Sequence, residues 1–529
     1  MTDRTMIRMW LFVLPLLLGG KGAADVPGQG SNNKPNRASG TELDKGAVRE
    51  AYKAWGKNQY LVAIAHLAGR DLQPHPKVQY RRGLLYLDTA RLYRNLSTLG
   101  TRLKTDLVAG WHQEREAGRL PARLYPCYAA LDAVENGDFS ASAQWEEAII
   151  PAELSQPMCQ RALVGIAAGH QVQKATEQAR QVMHLLKAHS REGLERDLMI
   201  QRMWIQAGVK PPAPPPELAL EQAEGLSSTA VLDWAWLSAH RNEWDQVQTL
   251  LTHRDFASPL AEEAFPGEDK TETLTRKYYA VDHLALLARL YEYRASEDLA
   301  DVAGAQGEVG LYAHFMWGKT LQQSGDNQKA EFVFKEFAEN KRGLFQDNPL
   351  LRYYRDLATI DRAVCLQDLG REAEALQQLS ALVIPDDGSS GNLALGATKG
   401  LAKGLTTYTI DILARRFQSI DIASLPKDQK SLYREASIKI ASCLMGGTIA
   451  QRRQGQDLME FILRNQSNKL YLSVQLAASY YGPDKNKWTA AKGIIGGLHL
   501  NNPGTIPVAE LLNYLIASMG GPGEVAPGQ

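Results

Sequence analysis

One spacing recurs in this chain and constrains it more than any other feature. Gly318, Leu321, Gly325, Ala330 and Phe334 stand at offsets of 3, 7, 12 and 16 from the first residue. Ala363, Leu366, Gly370, Ala375 and Leu379 repeat the same offsets 45 residues later. The first two positions are one helical turn apart, so a small and a large apolar side chain share a face. Gly325 and Gly370 fall where that helix must stop, because glycine enters the left-handed region without a Cβ penalty. Ala330 and Ala375 then belong to a second helix, where a small side chain lets two antiparallel helices approach. Phe334 and Leu379 cover the same face one turn on. The spacing predicts a helix-turn-helix hairpin, twice.

Weaker copies lie upstream. Ala235, Ser238, Asn242, Val247 and Leu251 keep the offsets with Asn242 in the turn and Pro259 beyond the second helix. Ala51, Ala54, Asn58, Ala63 and Leu67 do the same, followed by Pro74 and Pro76. Ala130, Ala133, Gly137 and Ser142 fit, and Glu146 breaks the last position. The five segments resemble the tetratricopeptide repeat, in a divergent form without a constant interval. That resemblance implies an all-α superhelix, a solenoid of stacked hairpins that binds other proteins.

The remaining periodicity agrees with an all-α chain. Leu84, Leu85, Leu87, Leu92, Leu96 and Leu99 follow the helical period, as do Leu284, Leu286, Leu287, Leu290 and Tyr291, and no sustained β alternation occurs. The run Lys210–Pro216 (KPPAPPP) cannot continue a helix. It reads either as a spacer between superhelical blocks or as a long inter-helix loop. A second break is expected over 385–404 (PDDGSSGNLALGATKGLAKG). The blocks are therefore 45–209, 217–384 and 405–518, with a disordered tail over 519–529. Length alone would suggest three domains in 529 residues, but stacked hairpins evade that count.

Residues 1–24 read as a secretory signal: Arg4 and Arg8, the apolar run Met9–Leu18, then Gly22-Ala23-Ala24. Ten apolar residues are too few to span a bilayer, which takes about 20. No cysteine follows the run, which disfavours a lipoprotein anchor. Residues 25–44, rich in Gly, Pro, Asn and Ser, read as a disordered leader. The expected location is the periplasm or the extracellular space, with no transmembrane segment once the signal is removed. The signal carries three of the 59 basic and one of the 59 acidic residues, so the remainder is close to neutral at about −2. Such a balance gives no support for nucleic-acid binding.

An exported chain with Cys127, Cys159, Cys365 and Cys443 permits two disulfides. Cys127 and Cys159 are 32 residues apart, near one repeat length, and are the candidate pair. The alternative is four buried thiols packed as small hydrophobes.

Motifs for chemistry are weak. Gly318-Lys319-Thr320 lacks the glycine a phosphate loop needs, since position 313 is Ala, and Gly391, Gly396 and Lys399 are followed by Gly400 where Ser or Thr is required. No His-Glu-x-x-His or Gly-x-Ser-x-Gly occurs, and His184 and His189 do not share a helical face. Glu146-Glu147, Glu262-Glu263 and Asp386-Asp387 are the acidic pairs that a glycosidase-type reaction would draw on. No catalytic residue, cofactor site or metal site is assigned. Aromatics cluster over 230–380, and Trp236, Trp244, Tyr279, Tyr312 and Tyr354 are the candidate partner-binding anchors.

The sequence thus predicts an exported, non-catalytic scaffold that holds protein partners in a cell-envelope assembly: secretion, polysaccharide export, pilus or motor. The alternatives are an exported all-α carbohydrate-active enzyme and a sugar- or peptide-binding protein.

Overall fold

A computed structural model of the chain describes residues 40–371, apart from 58, 69–74, 117–122, 190–192, 215, 217–218, 254–269 and 340–348, together with 449–465 and scattered positions between 373 and 494. The signal at 1–24, most of the leader, the break at 385–404, most of the 405–518 block and the tail lie outside the described residues, as do Asn58, Glu262-Glu263, Leu379, Asp386-Asp387 and Cys443. Every regular element among the described residues is a helix. In chain order they are α1 (Gly40–Gly56), α2 (Tyr60–Ala68), α3 (Pro76–Glu116), α4 (Tyr125–Glu135), α5 (Phe139–Ala143), α6 (Pro157–Val172), α7 (Thr176–His189), α8 (Leu194–Gln206), α9 (Ser228–His240), α10 (Trp244–His253), α11 (Lys270–Ala303), α12 (Glu308–Ser324), α13 (Asn327–Glu339), α14 (Pro349–Asp368) and α15 (Ile449–Asn465). Short 3-10 turns cover Glu146–Ala148, Pro151–Ser155 and Leu220–Gly225. α1 begins inside the stretch read as leader. Among the described residues no helix is long and apolar enough to cross a membrane.

Among the described residues, one kind of turn ends a helix six times. Gly137, Lys174, Gly208, Asn242, Gly325 and Gly370 all have φ between 61° and 85°. In each case the following amide donates to the carbonyl five residues back: Asp138 to Ala133, Ala175 to His170, Val209 to Trp204, Glu243 to Ser238, Asp326 to Leu321 and Arg371 to Leu366. This is the Schellman arrangement, which satisfies helix-end carbonyls. The small residues at the first offset and those at the twelfth are buried wherever described, Ala235, Ala330 and Ala375 among them. At Gly318 a Cβ would stand 2.6 Å from the Phe334 ring, so the close approach of α12 and α13 requires glycine there.

Two compact units are present. The first takes in Leu96–Leu290, and its four turns, at 137, 174, 208 and 242, are spaced by 37, 34 and 34 residues. Two pairs of its helices run parallel at a constant offset. On α4 and α6, Cys127 meets Cys159 and Val134 meets Gly165, 32 and 31 residues apart. On α8 and α9, Glu195 accepts from the cap residue Ser227, and Arg202 meets Asp233, again 32 and 31 apart. α5 lies against both α4 and α6, and α7 returns along α6. The proline run lies inside this unit, not at its edge; the buried Gln201 amide fastens it by donating to the Ala213 carbonyl at 2.6 Å.

The second unit combines the described residues up to Asn95 with those from Tyr291 on. Its core joins Ile64, Tyr80 and Leu87 to Leu299, Phe315, Phe334, Phe337 and Tyr354. Arg82 of α3 pairs with Asp298 of α11, 216 residues away, and a Cβ on Gly83 would stand 2.8 Å from Leu299. Here too two helices run parallel: Tyr312 meets Tyr354 and Lys319 meets Asp361, each 42 residues apart on α12 and α14, with α13 packed against both. An uninterrupted stack of sequence neighbours would contain no such pairing as Arg82 with Asp298.

Candidate functional site

The first unit carries a charged cluster in its interior. Helix α6 is buried on every side from Arg161 to His170, and Arg161 opens that run at 1% exposure. A guanidinium so placed needs partners, because an isolated buried charge is prohibitively costly. Its Nη2 donates to both carboxylate oxygens of Asp233, at 2.6 and 2.8 Å, and its Nε to the Tyr279 hydroxyl at 3.2 Å. Arg202 completes the chain from α8: Nη1 donates to Asp233 at 2.9 Å and Nη2 to Asp282 of α11 at 2.8 Å. Four helices, α6, α8, α9 and α11, therefore meet through two arginines and two aspartates of balanced charge.

Burial works against the Arg161 cation, but Asp233 foremost, then Tyr279 and Asp282, outweigh it and raise its pKa above the ordinary arginine value. Burial likewise raises the Tyr279 phenol. Both groups therefore hold their protons at neutral pH. Trp236 flanks the cluster, with the Arg202 guanidinium 5.6 Å from its ring centre and His240 stacked 5.5 Å away. The arrangement orients helices through directional, charge-assisted bonds.

The structure places the sequence-predicted anchors differently from one another. Trp236 keeps partial exposure. Trp244 is buried, with Arg289 of α11 5.4 Å from its ring centre. Tyr279 is inside the cluster. Tyr312 and Tyr354 lie edge to face in the core of the second unit, 5.2 Å apart, and Phe315 packs on Tyr354. Trp244, Tyr279, Tyr312 and Tyr354 are thus buried, each on a helix with neighbours on several sides, where large rings fill the space between helices. Cys127 and Cys159 are disulfide-bonded, with Cα atoms 4.8 Å apart. Cys365 is a buried thiol that burial pushes up to about 12.

Sequence reasoning passed over Arg161, Arg202, Asp233 and Asp282. A usable signal was present: Arg161 and Asp233 each interrupt an apolar helical run (CQRALVGIAA and AVLDWAWL), and a lone charge there requires an opposite partner. It also passed over a sixth hairpin, α6–α7, where Ala167, His170, Lys174, Ala179 and Met183 keep the offsets. Of the acidic pairs, Glu146 is engaged by His170 Nε2 at 2.9 Å. Among the described residues no group of three or more His, Cys, Asp or Glu is placed to hold a metal ion. No family model, curated protein or solved structure matches the chain.

Proposed function

We propose that the chain is an exported, non-catalytic scaffold of tetratricopeptide-like hairpins that binds protein partners in a cell-envelope assembly. The observation that carries this reading is the spacing of the turns in the first unit, 37, 34 and 34 residues. Tetratricopeptide repeats have a period of 34, and proteins built from stacked helix pairs work mainly by presenting surface to other proteins. The parallel offsets of α4 with α6, α8 with α9, and α12 with α14 support it, because successive first helices of such repeats run side by side. The Cys127–Cys159 bond supports residence in an oxidising compartment, as the apolar run Met9–Leu18 does.

Affinity would come from a few well-packed contacts, not from the whole face. The test is purification of the chain lacking residues 1–24 from a crosslinked envelope extract, with bound proteins identified by mass spectrometry. The expected result is a small, reproducible set of envelope proteins at near-stoichiometric yield. Retention of glycans with no protein partner would overturn the scaffold in favour of a carbohydrate-active or carbohydrate-binding protein.

A further inference from the structure

We draw no further inference here: the strongest candidate, the surface patch of exposed Ala148, Ile150, Pro151 and Ala152 on the connection between α5 and α6, carries nothing because nothing in the structure shows what covers it.

Discussion

Arg161 and Asp233, 72 residues apart in the chain, share a two-point ion pair in which one guanidinium nitrogen donates to both carboxylate oxygens at 2.6 and 2.8 Å. Asp233 also accepts from Arg202, so one carboxylate stands between two buried cations. Removing it leaves the buried Arg161 without a bonded carboxylate and the two cations sharing Asp282 alone. Asp233→Ala should therefore cost about 3–5 kcal/mol, and more than Arg161→Ala, which leaves Asp233 its second arginine. Urea unfolding of the two variants checks the order. Equal costs would mean that Arg202 is not effectively paired to Asp233.

The close approach of α12 and α13 gives a second expectation. The Phe334 ring occupies the space a side chain at position 318 would need. Gly318→Val should destabilise by about 1–3 kcal/mol through overpacking, and Phe334→Leu in the same chain should recover part of that loss. Thermal melts followed by circular dichroism measure both. Additive effects of the two substitutions would show that the residues do not meet.

Turn chemistry was the most legible feature of the chain, and its failures have a common cause. Spacing alone assigns Gly137, Asn242, Gly325 and Gly370 to turns, and each has a positive φ. Lys174 adopts the same conformation without being a residue that advertises it, so its hairpin went unread. The interval near 34 stayed hidden because Gly208 is followed by a proline run where the other turns are followed by a helix. The pairing of Arg82 with Asp298 joins segments that no local pattern connects. The burial of Trp244, Tyr279, Tyr312 and Tyr354 is hidden for a different reason: periodicity tells which side of a helix is apolar, but not how many sides are covered. Arg161 was in plain view as a charge in an apolar run, whereas its partner, from another helix, was not.

Lys174 and Asn242 lend themselves to improvement. A side chain in the left-handed region costs about 1–2 kcal/mol relative to the right-handed one, and asparagine bears less of that cost than lysine. Glycine removes the clash but loses more backbone entropy on folding. Lys174→Gly should therefore stabilise the chain by up to about 1 kcal/mol, and Asn242→Gly by less. Denaturant midpoints rank them; a destabilised Lys174→Gly would mean that the lysine side chain makes a contact worth more than the strain.

His283, on α11 beside Asp282, gives the first unit a dependence on pH. Burial pushes its imidazole down to about 4. The folded chain thus binds this proton less readily than the unfolded chain, whose histidine titrates near its ordinary value of about 6.5. The contribution is fully present above about pH 6.5 and is lost as pH falls from there through about 4, to a total of up to about 3 kcal/mol. His283→Gln should flatten the stability profile between pH 7 and pH 4 while leaving the value at pH 7 nearly unchanged. A profile of the same slope in both chains would place the titrating group elsewhere.

The disulfide provides the most direct prediction. Cys127 and Cys159 stand in the first turns of α4 and α6 and are 0% and 1% exposed. Closing a loop of 32 residues restricts the unfolded chain and is worth about 3.7 kcal/mol in the chain-entropy estimate. Replacing both residues by Ser should cost at least that much, because two hydroxyls then occupy an apolar site. Because neither sulfur is accessible, a mild reductant at neutral pH should leave the bond intact in the native chain and cut it once urea opens the first unit. Thiol labelling across a urea series, read against unfolding of the same sample, distinguishes the two states. Rapid labelling without denaturant would show that α4 separates from α6 in the native protein, and the packing of Val134 on Gly165 would then have to be transient as well.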